Sequence, residues 1–261
     1  MTTLDRSGFI LDFEDRFATL DATRWLPYYL PQWSSRERTR ARYEVGDHLI
    51  LRIDADQPAW APEYDGELRV TNLQTGVRSG ALGSHDGQLR FRDDVVVSEE
   101  QPTQALYTPT YGLIEVRARA NPDPTCMVAL YLIGFEAEPT QSGEVCILEV
   151  FGNDLGHTKM GIHRWSDPAL VEATEAVPIA REPLPFDSTQ WHEYAASWRP
   201  GRTEFFIDGE LVKALDQAPD YPMQLMLDIY EFRQPGSHEP ADYPKEFHVE
   251  WVRGWSLADA G

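Results

Sequence analysis

Short runs of alternating apolar and polar residues, set apart by glycines and prolines, constrain this chain more than any other feature. Residues 48–53 (HLILRI) and 112–120 (GLIEVRARA) alternate with period two, the spacing at which side chains of an extended strand reach opposite faces. Residues 127–135 (MVALYLIGF) are apolar almost throughout, the composition of a strand covered on both faces. Similar segments follow at 145–151, 159–165, 192–198, 203–207, 224–229 and 247–255. The stretches 191–199 and 203–213, joined through RPGR, read as a hairpin, with Asp208-Gly209 as a second tight turn. Residues 38–45 read as a short helix, but no long stripe of period 3.6 appears. The 19 prolines and 18 glycines are scattered rather than clustered, as turns between many strands require. The pattern predicts an all-β sandwich of two packed antiparallel sheets, folded as one domain over residues 1–261.

Charge narrows the partners. The chain carries 43 acidic and 23 basic residues, a formal net charge of −20. Nucleic acid, anionic membrane surfaces and polyanionic polysaccharides would be repelled, whereas a neutral glycan would not. The start, MTTLDRSGFILDFED, has neither a basic opening nor an apolar core of useful length, and no run approaches a membrane span. As given, the sequence predicts a cytoplasmic, monomeric protein. The two cysteines, Cys126 and Cys146, suit a reducing compartment and exclude a disulfide framework. If 127–135 and 144–151 form a hairpin, Cys146 pairs near Tyr131 and no bridge to Cys126 forms.

Within the run GEVCILEV, Glu144 and Glu149 are five residues apart. Retaining cleavage of a glycosidic bond needs two carboxyl groups about 5–5.5 Å apart, one as nucleophile and one as acid. In a regular strand residues i and i+5 face opposite sides; one extra residue, a β-bulge, returns them to the same face. Glu144, Cys146 and Glu149 would then share one surface, with Val145, Ile147 and Val150 facing the core. The alternative for such a pair is ordinary solvent-facing alternation, although charges in so apolar a run are costly unless they line a cleft.

At these residues the sequence resembles glycoside hydrolase family 16. Glu144-Val145-Cys146-Ile147-Leu148-Glu149 is similar to its ExDxxE signature. Tyr111-Gly112 through Glu115 and Arg117 resembles its YGxxExR strand. His192 through Trp198 followed by Asp208-Gly209 resembles its hairpin, and Glu250-Trp251-Val252-Arg253 its closing DWVR strand. Leu20-Asp21 to Trp25 resembles its opening. The resemblance implies a jelly roll of two curved sheets with a substrate cleft on the concave face. It implies Glu144 as nucleophile, Glu149 as general acid/base, no required cofactor and a neutral glycan, most simply a β-1,3- or β-1,3-1,4-glucan. Glu115 and Arg117 match sugar-contacting positions; His163 and Trp165 follow the signature where relatives place cleft side chains. Asp228 and Tyr230 fall where relatives carry a cleft-facing Asn and an aromatic. Sugar faces stack on aromatic rings, and Trp33 and Trp165 are the expected platforms among Trp25, Tyr28, Tyr29 and Trp60. A structural calcium is also implied, with Glu250 in the place of a ligand Asp.

Two departures matter. The signature Asp is Cys146, a weak donor and normally neutral, so one like charge beside the glutamates is lost. That eases ionisation of Glu144 and weakens the acid. The tryptophans of laminarinase-type members are absent from Met127-Val128-Ala129-Leu130-Tyr131. A transglycosylase, or a catalytically silent lectin-like protein, are the alternatives to hydrolysis.

Overall fold

The computed structural model describes residues 2–178, 187–232 and 242–258. In chain order its strands are β1 (Phe9–Asp15), β2 (Arg42–Glu44), β3 (Leu49–Ile53), β4 (Arg69–Gln74), β5 (Gly76–Val77), β6 (Gln104–Ala105), β7 (Gly112–Arg119) and β8 (Cys126–Gly134). There follow β9 (Glu144–Phe151), β10 (His157–His163), β11 (Glu175–Pro178), β12 (His192–Arg199), β13 (Arg202–Ile207), β14 (Glu210–Leu215), β15 (Met223–Glu231) and β16 (Lys245–Leu257). They form an outer sheet, β14-β13-β12-β7-β16-β3-β2 with β1 added on β16, and an inner sheet, β11-β10-β9-β8-β15-β4; β5 and β6 pair by themselves. The ladders are antiparallel. This is the all-β jelly roll expected. Among the described residues no helix is long and apolar enough to cross a membrane.

Period-two alternation distributes the strands' side chains between two cores. Val128, Leu130 and Leu132 of β8, with Leu225, Leu227 and Ile229 of β15, face Ile114, Val116 and Ala118 of β7 across the sandwich. The intervening Ala129, Tyr131 and Ile133 point the other way, into a second cluster with Tyr29, Trp33, Trp60, Val95 and Val97. Loops from the first hundred residues thus roof part of the inner sheet's other face, and a cleft is left over β8, β9 and β10.

One local expectation changes, and two strands were not read from the sequence. Residues 38–45 hold no helix: a turn closes with Thr39 N donating to Ser35 O at 3.0 Å, and Arg42–Glu44 pair with β3 as an edge strand. The strand β4 (RVTNLQ) was hidden by its polar residues. All six are buried, because Asn72 meets Asp228 and Arg69 meets Glu231 across the ladder. The N-terminal segment, which carried no assignment, supplies β1 against β16.

Candidate active site

The bulge required by the glutamate spacing is present. In the β8–β9 ladder Tyr131 lies opposite Cys146 and Leu130 opposite Leu148, so Ile147 is the extra residue. Val145, Ile147 and Val150 are in the inter-sheet core, whereas Glu144 and Glu149 line one cleft of about 230 Å³ with Tyr131, His163, Trp165 and Tyr230. One inserted residue therefore brings two carboxyl groups of one strand to one surface.

Their surroundings differ. Glu144 is buried, and its Oε2 accepts a hydrogen bond from the Trp165 indole at 2.9 Å. Burial pushes its carboxyl up to about 7, against the opposing pulls of His163 and the Trp165 hydrogen bond. The sequence expectation, in which a missing neighbour charge eased ionisation, omitted this desolvation, which is the larger effect. Glu149 is held by Lys159, whose Nζ lies 2.9 Å from Oε1. The Cys146 thiol sits 3.8 Å from Glu149 Oε2 and 3.4 Å from the Lys159 carbonyl. Burial first, then the charges of Glu149 and Glu144, holds that thiol well above the usual range, so it acts as a neutral filler and weak donor. Both cysteines are unbridged, and Cys146 faces Tyr131 as the hairpin argument required.

His163 stands opposite Glu144 in the β9–β10 ladder and pairs through Nδ1 with Glu172 at 2.7 Å. Trp165, two residues on, is 43% exposed, enough ring to stack on a sugar. Its φ of 44° is unusual for a bulky residue, and the Glu144 hydrogen bond ties the indole in that pose. Tyr230 lines the cleft and joins a hydroxyl chain, 2.8 Å to Tyr131 and 3.3 Å to Tyr29. Asp228 lies fully buried beneath, beside Asn72.

Four predicted site residues are elsewhere. Glu115 and Arg117 belong to β7 of the outer sheet and face away from the sandwich. Arg6 Nε holds Glu115 at 3.1 and 3.2 Å, and Arg117 pairs with Glu250 and, at 3.7 Å, with Glu193. Alternation named their face of the strand but not which sheet the strand joins. Trp33 is 1% exposed, its indole donating to Gln88 O at 2.8 Å; it supports the cleft wall from below and offers no platform. Glu250 does not fit a calcium ligand. Its carboxylate is engaged by Arg117, and among the described residues no group of three or more His, Cys, Asp or Glu could hold a metal ion.

Two residues escaped sequence reasoning. Lys159 carried no signal beyond its place on the next strand, from which its ammonium reaches Glu149 at 2.9 Å. Glu136 lies between strands; the structure buries it, with Leu89 N donating to its Oε1 at 2.6 Å.

A bulged strand that presents two carboxyl groups beside an exposed indole, in the concave sheet of a jelly roll, defines a carbohydrate-active β-sandwich protein. The sequence profile of Glycosyl hydrolases family 16 matches residues 93–253, and the chain belongs to that family. The GlcNAcα1-4Gal-releasing endo-β-galactosidase from Clostridium perfringens superposes with a TM-score of 0.81 at 29% identity, over 99% of this chain. This chain spans 65% of that enzyme's length. A laminarinase from Flavobacterium sp. UMI-01 shares the fold at TM-score 0.65 and 16% identity, covering 95% of this chain and all 100% of its own. The Crh5 transglycosylase does so at 0.60 and 16%, over 95% of this chain and 84% of its own. A comparison with curated protein sequences gives no match.

Proposed function

We propose that the protein is a retaining endo-glycosidase that cuts an internal β-galactosidic bond of a neutral glycan, with Glu144 as nucleophile and Glu149 as acid/base. The observation that carries this reading is the Ile147 bulge, which turns both carboxyl groups into one cleft beside Trp165. In the first step Glu144 attacks the anomeric carbon while Glu149 gives its proton to the leaving oxygen. In the second, Glu149 takes a proton from water, which displaces Glu144 from the sugar. Trp165 orients Glu144 through its indole, and Lys159 positions Glu149. A galactosidic rather than glucosidic linkage is supported by the 29% identity to the endo-β-galactosidase. The missing tryptophans around Met127 and Tyr131 count against a laminarinase-type activity, since the laminarinase-type pattern carries them.

The test is release of reducing ends from a neutral β-galactan, lactosamine-type oligosaccharides, laminarin and mixed-linkage glucan, beside Glu144→Gln. Release from the galactose-containing glycans, with the β-anomer formed first and loss of at least about 10³-fold in the variant, is expected. Release from laminarin alone would return the reading to a β-glucanase. Binding without release from any glycan would make the protein a lectin.

A further inference from the structure

Beyond the Glu144 end of the cleft lies a larger cavity, of about 490 Å³. Trp165 and Leu89 line both spaces, so the two adjoin at one exposed indole. None of the motifs or roles above accounts for this cavity. Its volume falls within the range of small-molecule sites. Its floor is built rather than incidental. A Cβ on Gly87 would come within 2.7 and 2.8 Å of the Trp33 ring, so only glycine lets this backbone lie flat on the buried indole. Ser166 N donates to Ser142 Oγ at 3.0 Å, which fixes the loop that carries Trp165.

The polar lining is specific in kind. Arg90, in the lining, is already engaged by Asp93, at 2.6 Å from its carbonyl and 3.5 Å from its carboxylate, and Arg78, which is outside the lining, is paired with Asp86 at 2.8 Å. That leaves the cavity poorly suited to a carboxylated or sulfated sugar. His85 contacts the Val95 carbonyl through Nδ1 at 2.7 Å; in the neutral ring this makes Nδ1 the donor and Nε2 an acceptor. Glu136 is 5% exposed yet lines the cavity. Its Oε1 is committed to the Leu89 amide at 2.6 Å, so its second oxygen is the one available to a ligand.

We infer that this cavity is a second sugar-binding subsite, in which Glu136 donates and His85 accepts hydrogen bonds with a neutral sugar residue of the glycan whose bond is cut at Glu144. Glu136 would thus be a specificity-determining residue. The inference rests on the cleft being glycan-binding, and not on the linkage or on turnover. Burial pushes the Glu136 carboxyl up to about 8, so the group carries its proton, and can donate, at neutral pH.

Calorimetric titration of the Glu144→Gln protein with neutral galacto-, lactosamine-type and β-gluco-oligosaccharides of two to six residues tests this directly. Affinity is expected to rise with length as the cavity fills. Thr140→Trp, which blocks it, is expected to lower the affinity for the longest member by about tenfold. Between about pH 6.5 and pH 9.5 the Glu144→Gln parent should lose about tenfold as Glu136 deprotonates. Adding Glu136→Gln, which keeps a donor without a proton to lose, should hold affinity flat across that range. Equal affinity with and without Thr140→Trp, an identical pH loss with Glu136→Gln, or no binding by any member would overturn the subsite. Length-dependent binding by a protein that releases no reducing ends would sink hydrolysis and leave the subsite standing.

Discussion

Cys146 stands between two carboxyl groups where the family signature carries an acid. Its buried, neutral thiol puts no charge beside Glu144 or Glu149. In Cys146→Asp an added carboxylate would oppose ionisation of Glu144, so the acid limb of the pH–rate profile is expected to move up by about one unit. The kcat profile of the variant against the parent measures this; superimposable profiles would show that the position is only a filler. The pair and the bulge between them were legible in the sequence because a five-residue interval leaves a strand one choice if both are to share a face. Lys159 and Glu136 were not. Each gains its meaning from a neighbour outside any local window, Lys159 from an ion pair with Glu149 on the adjoining strand and Glu136 from the Leu89 amide.

At the scale of the element, β10 fixes β9 from the side. Gly161 lies opposite Cys146, and a Cβ there would sit 2.2 Å from the Ala173 carbonyl. That carbonyl also accepts from Lys213 Nζ, which bonds Met160 O at 2.8 Å, so the backbone has no room to yield. Gly161→Ala should therefore cost about 2 kcal/mol of stability, read as a lower denaturant midpoint at unchanged m-value. A midpoint equal to the parent's would mean the two segments can part without loss. Strands with clean alternation or unbroken apolar runs were readable; β4 was not, since its Asn72 and Arg69 are buried by partners on β15 that no local window contains. The same limit misplaced Glu115 and Arg117. Period two assigns a face within a strand, and both sheets of a sandwich offer such faces.

Across the whole molecule the buried carboxyl groups set how stability follows pH. Burial pushes Glu136 and Asp228 up to about 8 and Glu144 up to about 7, against roughly 4 in the unfolded chain. Between those limits the folded state holds more protons than the unfolded one, so the slope of stability with pH is negative. The contribution of these groups is fully present below about pH 4 and is lost as pH rises through 7 to 8. Exposed carboxylates such as Asp21 and Asp94, held below their ordinary value by hydrogen bonds from Thr23 and Arg92, act in the opposite sense, but only on the acid side of their ordinary titration. The net charge of −20 adds self-repulsion in the same direction as the buried groups once the surface is ionised. The melting temperature should therefore peak near about pH 5 and fall by at least about 5 °C by about pH 8.5. Asp228→Asn removes one of the three titrations while keeping a polar group beside Asn72, and should flatten that fall. Calorimetric scans of both proteins over this range decide the matter, and a parent whose melting temperature is level from pH 5 to 8.5 would show that the buried carboxyl groups ionise without cost to the fold.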